Sequence, residues 1–286
     1  MSAASDRLRK ILVERRAEVA ELEADLRAIE YDGAEPSPPV VTLADFVTEG
    51  LLESDDDQWL VRQLVPRGGM GFLAADPELG KTTLLVQLSL LLAAGRPFFG
   101  YHTVPSRALL IAAEGARRSL AARVHRAART LGVPTATPTW FIQGPSIESF
   151  FLRDGPFAEM LAEAKPHFVI LDPLKQFWKG DENSADSFTE NVTRPLKAFG
   201  ATYGCTFCLI HHHRKAQVGE EGGPHQGRGT GVMFADADFW WRLTRDKEAG
   251  DVEGARVLHC DKSKYSAKFP PIKLTFDGPN AVLVER

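Results

Sequence analysis

Cysteine is scarce in this chain, which has three cysteines, Cys205, Cys208 and Cys260, among its 286 residues. Three cysteines cannot supply the paired framework of a small secreted scaffold, so the sequence favours a reducing, cytoplasmic environment. Cys205 and Cys208 form a C-x-x-C pair, which leaves a metal or redox role open. The surrounding stretch GCTFCLI is more typical of a strand that enters a protein core.

Long apolar runs and an excess of positive charge are also absent. The chain has no apolar segment of bilayer-spanning length, and its first residues lack the apolar core of a signal peptide, so we expect no membrane partner. The formal net charge is −4. A nucleic acid, if one is bound, must therefore meet a local basic patch rather than a basic surface overall.

Residues 5–30 have the pattern of an amphipathic helix. Their apolar stripe is as narrow as a coiled-coil seam, and it consists of Leu8, Leu12, Val19, Leu22, Leu26 and Ile29. The stripe either packs on its own domain or contacts another subunit or a replication or recombination protein, and the sequence leaves both open. The segment YDGAEPSPPV then breaks the helix. We predict a helix with a Pro-rich linker at 1–38 and one domain at 39–286.

Strand and helix patterns alternate after residue 40. Apolar runs predict strands at Met70–Ala74, Ala108–Ala113, Phe168–Leu171 and Phe207–Ile210, and helical patterns lie at Thr82–Ala94, Ala116–Leu131 and Ser187–Tyr203. This order predicts an α/β fold with a doubly wound, mainly parallel sheet. After residue 238, the short runs FWWRL, ARVLHC, IKLTF and AVLVE predict antiparallel strands that extend the sheet.

The stretch FLAADPELGKTTLLVQL fits the strand, loop and helix of a phosphate-binding loop. The template G-x-x-x-x-G-K-[ST] followed by Thr83 covers Ala75, Asp76, Pro77, Glu78, Leu79, Gly80, Lys81, Thr82 and Thr83. In such a loop Lys81 reaches the β- and γ-phosphates of ATP and Thr82 binds Mg²⁺. Ala75 replaces the usual leading glycine, which is tolerable where the backbone conformation suits an L-residue.

Two carboxylates complete the predicted ATPase site. Asp172 ends the apolar run FVILD, as the second Mg²⁺ ligand of a P-loop protein does. Glu114 follows the apolar run ALLIAA, at the sheet edge where ligands bind in open α/β folds. We therefore predict that Glu114 orients the attacking water, although it could instead cap the next helix.

These features together resemble the RecA-like ATPase core, and in particular the RepA-type plasmid replicative helicases and the related phage and bacterial AAA-type ATPases. The catalytic Glu after the second strand is a hallmark of that core. GCTFCLIHHHRKA resembles the family segment that ends in a His-His pair, and GRGTGVMFADADFWWRL resembles its R-G-S-x-x-x-x-D segment. The resemblance covers about residues 42–277.

The resemblance implies further site residues. His212 matches a sensor of the γ-phosphate, and Arg228 matches an arginine finger that acts on a neighbouring subunit's nucleotide. Lys262 and Lys264, in DKSKYSAK, match the basic pair that also acts between subunits, although the family more often has Arg at the position of Lys264. A metal site at His211–His213 is disfavoured, because successive side chains of a strand point to opposite faces.

The two segments that follow the Asp172 and His212 strands line the central channel in RecA-like rings. Their cations are the candidate contacts to single-stranded DNA: Lys175, Lys179, Arg214 and Lys215. Phe177 and Trp178 could stack on bases or could form part of the core.

The sequence thus predicts an ATP- and Mg²⁺-dependent motor that forms a ring, expected to be a hexamer, and acts on single-stranded DNA as a helicase. Two alternatives stay open. One is a recombinase-like or helicase-loader ATPase that remodels DNA–protein complexes without unwinding. The other is a nucleotide-switched interaction module.

Overall fold

The computed structural model describes residues 42–43, 55–143, 155–178, 180, 184–212, 230–250, 254–277 and 282–286. The chain divides into two units, Met1–Leu52 and Glu53–Arg286. Only Thr42 and Leu43 of the first unit are described, so the predicted N-terminal helix and the boundary at residue 38 lie outside the described residues. The fold below is that of the second unit.

The second unit alternates strands and helices. Its helices are α1 (Asp55–Gln58), α2 (Lys81–Ala93), α3 (Arg117–Leu131), α4 (Pro156–Ala164), α5 (Ala185–Phe188), α6 (Arg194–Tyr203) and α7 (Thr230–Asp236). Its strands are β1 (Trp59–Val61), β2 (Val65–Pro66), β3 (Met70–Ala75), β4 (Ala108–Ala112), β5 (Thr139–Gln143), β6 (Phe168–Asp172), β7 (Thr206–His212), β8 (Phe239–Arg245), β9 (Arg256–Ser263), β10 (Ile272–Asp277) and β11 (Val282–Glu285).

Nine of these strands form one sheet, in the order β11-β10-β9-β8-β3-β7-β6-β4-β5. Strands β3 to β8 pair in parallel within it, and β9, β10 and β11 extend it as antiparallel strands. The predicted fold class is confirmed. One strand was predicted wrongly: β8, the FWWRL run, is parallel to β3 and antiparallel only to β9.

Helices cover both faces of the sheet. Helices α2 and α3 pack on one face, and α4, α5, α6 and α7 pack on the other. Successive residues of β6 alternate between the two cores, with Phe168 and Ile170 in one and Val169 and Leu171 in the other. This alternation explains the continuous apolar run FVILD, because a strand covered on both faces has no polar side.

The C-x-x-C pair is divided between the same two cores. Cys205 packs on the face of α6, whereas Cys208 packs on the face of α2. Burial raises the pKa of the Cys205 thiol to about 12 and raises that of Cys208 as well. Two inert thiols on opposite faces cannot share an ion, so these cysteines are core residues.

Helix α2 is buried nearly all round, with Thr82 its only half-exposed residue. Its one amide side chain, Gln87, bonds the backbone of β11 in both directions: its Nε2 donates to the Leu283 carbonyl, and its Oε1 accepts from the Leu283 N–H, at 2.8 Å each. The C-terminal strand is therefore fixed on the helix that follows the phosphate loop.

The helix predicted at Ser187–Tyr203 is interrupted. It consists of α5, a π-helical turn at Thr189–Thr193, and α6. Pro195 lies in the first turn of α6, and its missing N–H and its ring are incompatible with a continuous α-helix through this point. Within the described ranges, every helix is too short or too polar to cross a bilayer.

Candidate nucleotide-binding site

The predicted site residues meet at one edge of the sheet, because parallel strands end together there. Ala75 of β3 lies beside His212 of β7, and Asp172 of β6 lies beside Ala112 of β4. The Ala113 N–H donates to the Asp172 carbonyl at 2.9 Å, which brings the segment before Glu114 to the same edge. Segments far apart in the sequence thus form one crevice.

The loop after β3 has the conformation of an anion-binding turn. Ala75 is the last residue of β3, so its extended backbone accepts a methyl group where related loops have glycine. The left-handed conformation falls instead on Glu78, with φ 63°, and on Gly80, with φ 100°. Gly80 has no side chain to cap α2, so the first N–H groups of that helix face the loop as anion donors.

Lys81 is folded back onto this loop. Its Nζ donates to the Ala75 carbonyl at 2.8 Å and to the Asp76 carbonyl at 2.7 Å, and the residue is 5% exposed. Burial lowers the pKa of Lys81 to about 8, even though the Asp172 and Asp76 carboxylates act to raise it. A polyphosphate bound at this loop would stabilise the charged form of Lys81, because its negative oxygens attract the ammonium.

This lowered pKa predicts proton uptake on nucleotide binding. At about pH 8.5, roughly three quarters of the free protein has a neutral Lys81, and phosphate oxygens raise the pKa because they stabilise the ammonium. Titration calorimetry in two buffers of different ionisation enthalpy should show an uptake of roughly 0.7 proton per bound ATP. The uptake should fade below about pH 7, where Lys81 is already charged.

Lys81→Ala is the control for this measurement. It should abolish the uptake in whatever binding remains. Proton release in the wild type, or the same uptake in both proteins, would contradict the proposed contact between Lys81 and phosphate.

Thr82 and Asp172 form the second part of the site. The Thr82 hydroxyl donates to Asp172 Oδ2 at 2.6 Å, and Asp172 is 9% exposed. Burial raises the pKa of Asp172, while the Thr82 hydrogen bond and the Lys81 ammonium oppose that shift. A hydroxyl and a carboxylate are oxygen ligands of the kind Mg²⁺ takes, and a cation would offset the cost of burying Asp172. These two residues fit the predicted metal.

Glu114 lies just beyond β4 and is exposed to the crevice. Gln176 donates from Nε2 to Glu114 Oε1 at 2.7 Å. Gln176 belongs to a 3-10 turn, Leu174–Gln176, that follows Asp172, so the metal-ligand strand also orients the candidate base. The sequence analysis missed Gln176, since one amide in a polar segment gives no signal.

A second missed residue, Arg256, supports the loop from β9. Its Nε donates to the Leu79 carbonyl at 3.2 Å, and its guanidinium lies 5.5 Å from the centre of the Phe276 ring. A Cβ on Gly80 would come within 2.9 Å of that ring, so the loop and β10 are in close contact. Arg256 is 7% exposed, and burial lowers its pKa. Its only sequence signal is one charge at the start of the run ARVLHC.

Removal of the Arg256 donor should weaken ATP binding without loss of the fold. Arg256→Met keeps an apolar side chain beside Phe276 but leaves the Leu79 and Ala255 carbonyls without this donor, and each lost bond to a charged donor costs about 1.5–3 kcal/mol. We expect the KM for ATP to rise roughly tenfold, since part of this free energy is lost from the loop conformation that binds ATP. Steady-state kinetics should show a smaller change in kcat. Arg194→Met, at an exposed position on α6, is the control; equal effects from both variants would contradict a specific role of Arg256.

Lys262 and Lys264 lie away from the chain's own phosphate loop. Lys262 Nζ donates to the Phe234 and Ala235 carbonyls at the end of α7, at 2.7 and 2.9 Å. Lys264 Nζ donates to Asp238 Oδ1 at 3.1 Å, near the first residues of β3 and β8. Their predicted action on a neighbouring subunit's nucleotide stays a prediction.

The predicted DNA contacts are described only in part. Lys175 is exposed, whereas Phe177 is buried and Trp178 packs edge-on against Phe188, with ring centroids 5.4 Å apart. The two aromatic residues therefore belong to the core side of that segment. The backbone of His212 is described but not its side chain, and the remaining candidates lie outside the described residues: Lys179, Arg214, Lys215 and Arg228.

The described residues contain no group of His, Cys, Asp and Glu placed to hold a metal ion by themselves. His211 lies on β7 near Trp240, with ring centroids 6.5 Å apart. The histidine run therefore gives no support to a metal site in the part of the chain that is described.

Comparison with known proteins agrees with this geometry. A family model described as an AAA domain matches residues 36–218. Among solved structures, the ATPase domain of another protein is similar, with a TM-score of 0.66 and 12% identity over 87% of this chain and 100% of that one. At this identity the likeness shows the fold, that of a RecA-like ATPase core. No curated protein matches the sequence.

Proposed function

The chain belongs to the AAA-domain family and has the fold of a RecA-like P-loop ATPase, and from this premise we propose that it is a hexameric DNA helicase. It would hydrolyse ATP to translocate on single-stranded DNA during replication. The observation that carries the proposal is the crevice itself. A buried lysine, a hydroxyl–carboxylate pair and an exposed, oriented carboxylate converge there from three separate strands.

The proposed roles follow from the contacts. Lys81 would exchange two loop carbonyls for the β- and γ-phosphates of ATP, and the first N–H groups of α2 would bind the same phosphates. Thr82 and Asp172 would hold Mg²⁺, which when bound neutralises charge on the phosphates. Glu114, held by Gln176, would orient the attacking water and accept its proton.

Coupling to DNA would pass through the segment after β6. Lys175 is exposed there and is the neighbour of Gln176, whose amide bonds Glu114. A DNA strand that contacts Lys175 could therefore change the position of the Glu114 carboxylate. Three cations of the sequence would extend this contact in the proposed channel: Lys179, Arg214 and Lys215.

The ring is proposed from the resemblance. The described crevice offers Lys81 for the ground-state phosphates, and the stabilisation of transition-state charge would come from Arg228 of a neighbouring subunit. Lys262, Lys264 and the γ-phosphate sensor His212 would act at the same interface. The 1–38 segment is proposed as a separate region that contacts a subunit or a replication partner.

Two assays done together test the function. ATP hydrolysis should rise when single-stranded DNA is added, and the protein should displace a strand from a forked duplex. Stimulated hydrolysis without displacement would replace the helicase with a loader or recombinase-like motor. No stimulation by any DNA would favour the nucleotide-switched module and overturn the proposed motor.

A further inference from the structure

Helix α3 carries the most one-sided charge of the described elements. Its fifteen residues, RRSLAARVHRAARTL, include five arginines and no Asp or Glu: Arg117, Arg118, Arg123, Arg126 and Arg129. The chain as a whole has a net charge of −4. The helix is therefore a local basic patch on a chain whose net charge is negative.

Three of the arginines lie on the side of the helix that faces away from the core. Leu120, Val124, Ala127 and Ala128 pack towards α2 and the sheet. Arg118, Arg126 and Arg129 are exposed, as is His125 between them. Arg118 and Arg129 lie about 20° apart around the helix and about 16 Å apart along it, and Arg126 lies within about 80° of both, so these three charges share one side of the helix.

The side chains of these arginines have no partner in the part of the chain that the structure describes. No hydrogen bond or ion pair there involves the guanidinium of Arg117, Arg118, Arg126 or Arg129. Like charges on neighbouring turns destabilise a helix by a few tenths of a kcal/mol per pair. A solvated surface helix usually avoids this cost by mixing signs, so the pattern favours an anionic ligand.

The side chains between the arginines indicate the class of ligand. Apart from His125, the exposed ones are small and offer no large apolar anchor of the kind that protein interfaces need: Ser119, Ala121, Ala122 and Thr130. The basic residues of the helix other than His125 are all arginines, and the guanidinium fork matches phosphate oxygens in pairs. Several phosphate-binding forks on one side of a helix, with His125 as the one ring among them, suit a nucleic-acid backbone and give little base preference.

We propose that the outer side of α3 binds the phosphate backbone of a nucleic acid, at a site separate from the loops after β6 and β7. This inference rests on the proposed DNA-directed function and adds a second contact to it. Helix α3 begins just after Glu114. A nucleic-acid strand bound to the outer side of α3 would therefore lie next to the ATP crevice.

Arg118, Arg126 and Arg129 changed together to Gln provide the test. Binding of a labelled thymidylate strand, followed by fluorescence anisotropy at several salt concentrations, should weaken roughly 10–100-fold at low salt. The slope of log affinity against log salt should fall by roughly 2, since each lost phosphate contact on a single strand contributes roughly 0.7. Basal ATP hydrolysis and the melting temperature should match the wild type. A duplex of equal length shows whether the site takes one strand or two.

The control removes the same charge elsewhere: Arg194, Lys197 and Lys268, all exposed, changed to Gln. Equal weakening in the control would assign the effect to net charge and overturn the inference. A wild-type salt slope in the α3 variant would also overturn it, while the motor proposal would stand. A change in assembled mass by light scattering would make α3 a subunit contact instead. A wild-type protein that binds neither DNA form would remove the DNA-directed function and this inference together.

Discussion

Glu114→Gln should lower ATP turnover by about 10²–10⁴-fold and leave ATP binding intact. The amide keeps the size of the side chain and can still contact Gln176, but it cannot accept a proton from the attacking water. Because Glu114 is exposed and lies outside the phosphate loop in the sequence, we expect the fold and the affinity for ATP to stay unchanged. Hydrolysis is measured at saturating ATP, and binding is measured by calorimetry in the same preparation.

Two further variants serve as comparisons for Glu114→Gln. Glu163→Gln changes an exposed carboxylate on α4 and should leave turnover unaltered. Gln176→Ala removes an amide that donates to Glu114 and keeps the carboxylate, so we expect an intermediate loss of roughly tenfold in kcat with little change in KM. If Glu114→Gln loses ATP binding as well as turnover, Glu114 is a structural residue and another group must act on the water.

Arg228→Ala should lower turnover by about 10³–10⁵-fold, the size of effect that an arginine finger supplies. ATP binding and assembly should remain, since the proposed role of Arg228 begins only when charge develops on the transferred phosphoryl group. Hydrolysis, nucleotide binding and assembled mass are measured for the wild type, for Arg228→Ala and for Arg194→Ala. The last variant removes an exposed arginine of α6 and should behave as the wild type.

Mixed assemblies show whether the finger works between subunits. Arg228→Ala subunits keep Glu114, and Glu114→Gln subunits keep Arg228, so a mixture creates some interfaces with both groups intact. Part of the lost activity should return once subunits exchange. If mixtures exchange subunits and stay inactive, Arg228 does not act on the nucleotide of a neighbouring subunit.

The sequence predicted the parts of the site that depend on local pattern. Gly80, Lys81 and Thr82 follow one strand, and Asp172 ends another. The order of strand, loop and helix was therefore enough to predict that these residues lie at one edge of the sheet. The direction of β8 was predicted wrongly, because an apolar run such as FWWRL is the same in a parallel and an antiparallel strand. The π-helical turn before α6 was also missed, although Pro195 was its visible cause.

Long-range partners could not be read from the sequence. Gln176 bonds a carboxylate 62 residues earlier, and Arg256 bonds a loop carbonyl 177 residues earlier. Each is a single polar residue whose role depends on the order of strands in the sheet. The lowered pKa of Lys81 has the same origin, because it results from burial that only the folded chain creates.

The most direct test of the P-loop assignment is steady-state ATP hydrolysis by the wild type and by Lys81→Ala, assayed in parallel with Mg²⁺ and single-stranded DNA. Lys81→Ala removes the point charge proposed to meet the β- and γ-phosphates, and it leaves Thr82, Asp172 and Glu114 in place. We expect the wild type to hydrolyse ATP and the variant, folded as shown by its melting temperature, to lose essentially all turnover. A folded Lys81→Ala protein with wild-type turnover would contradict the assignment of this crevice as the ATPase site.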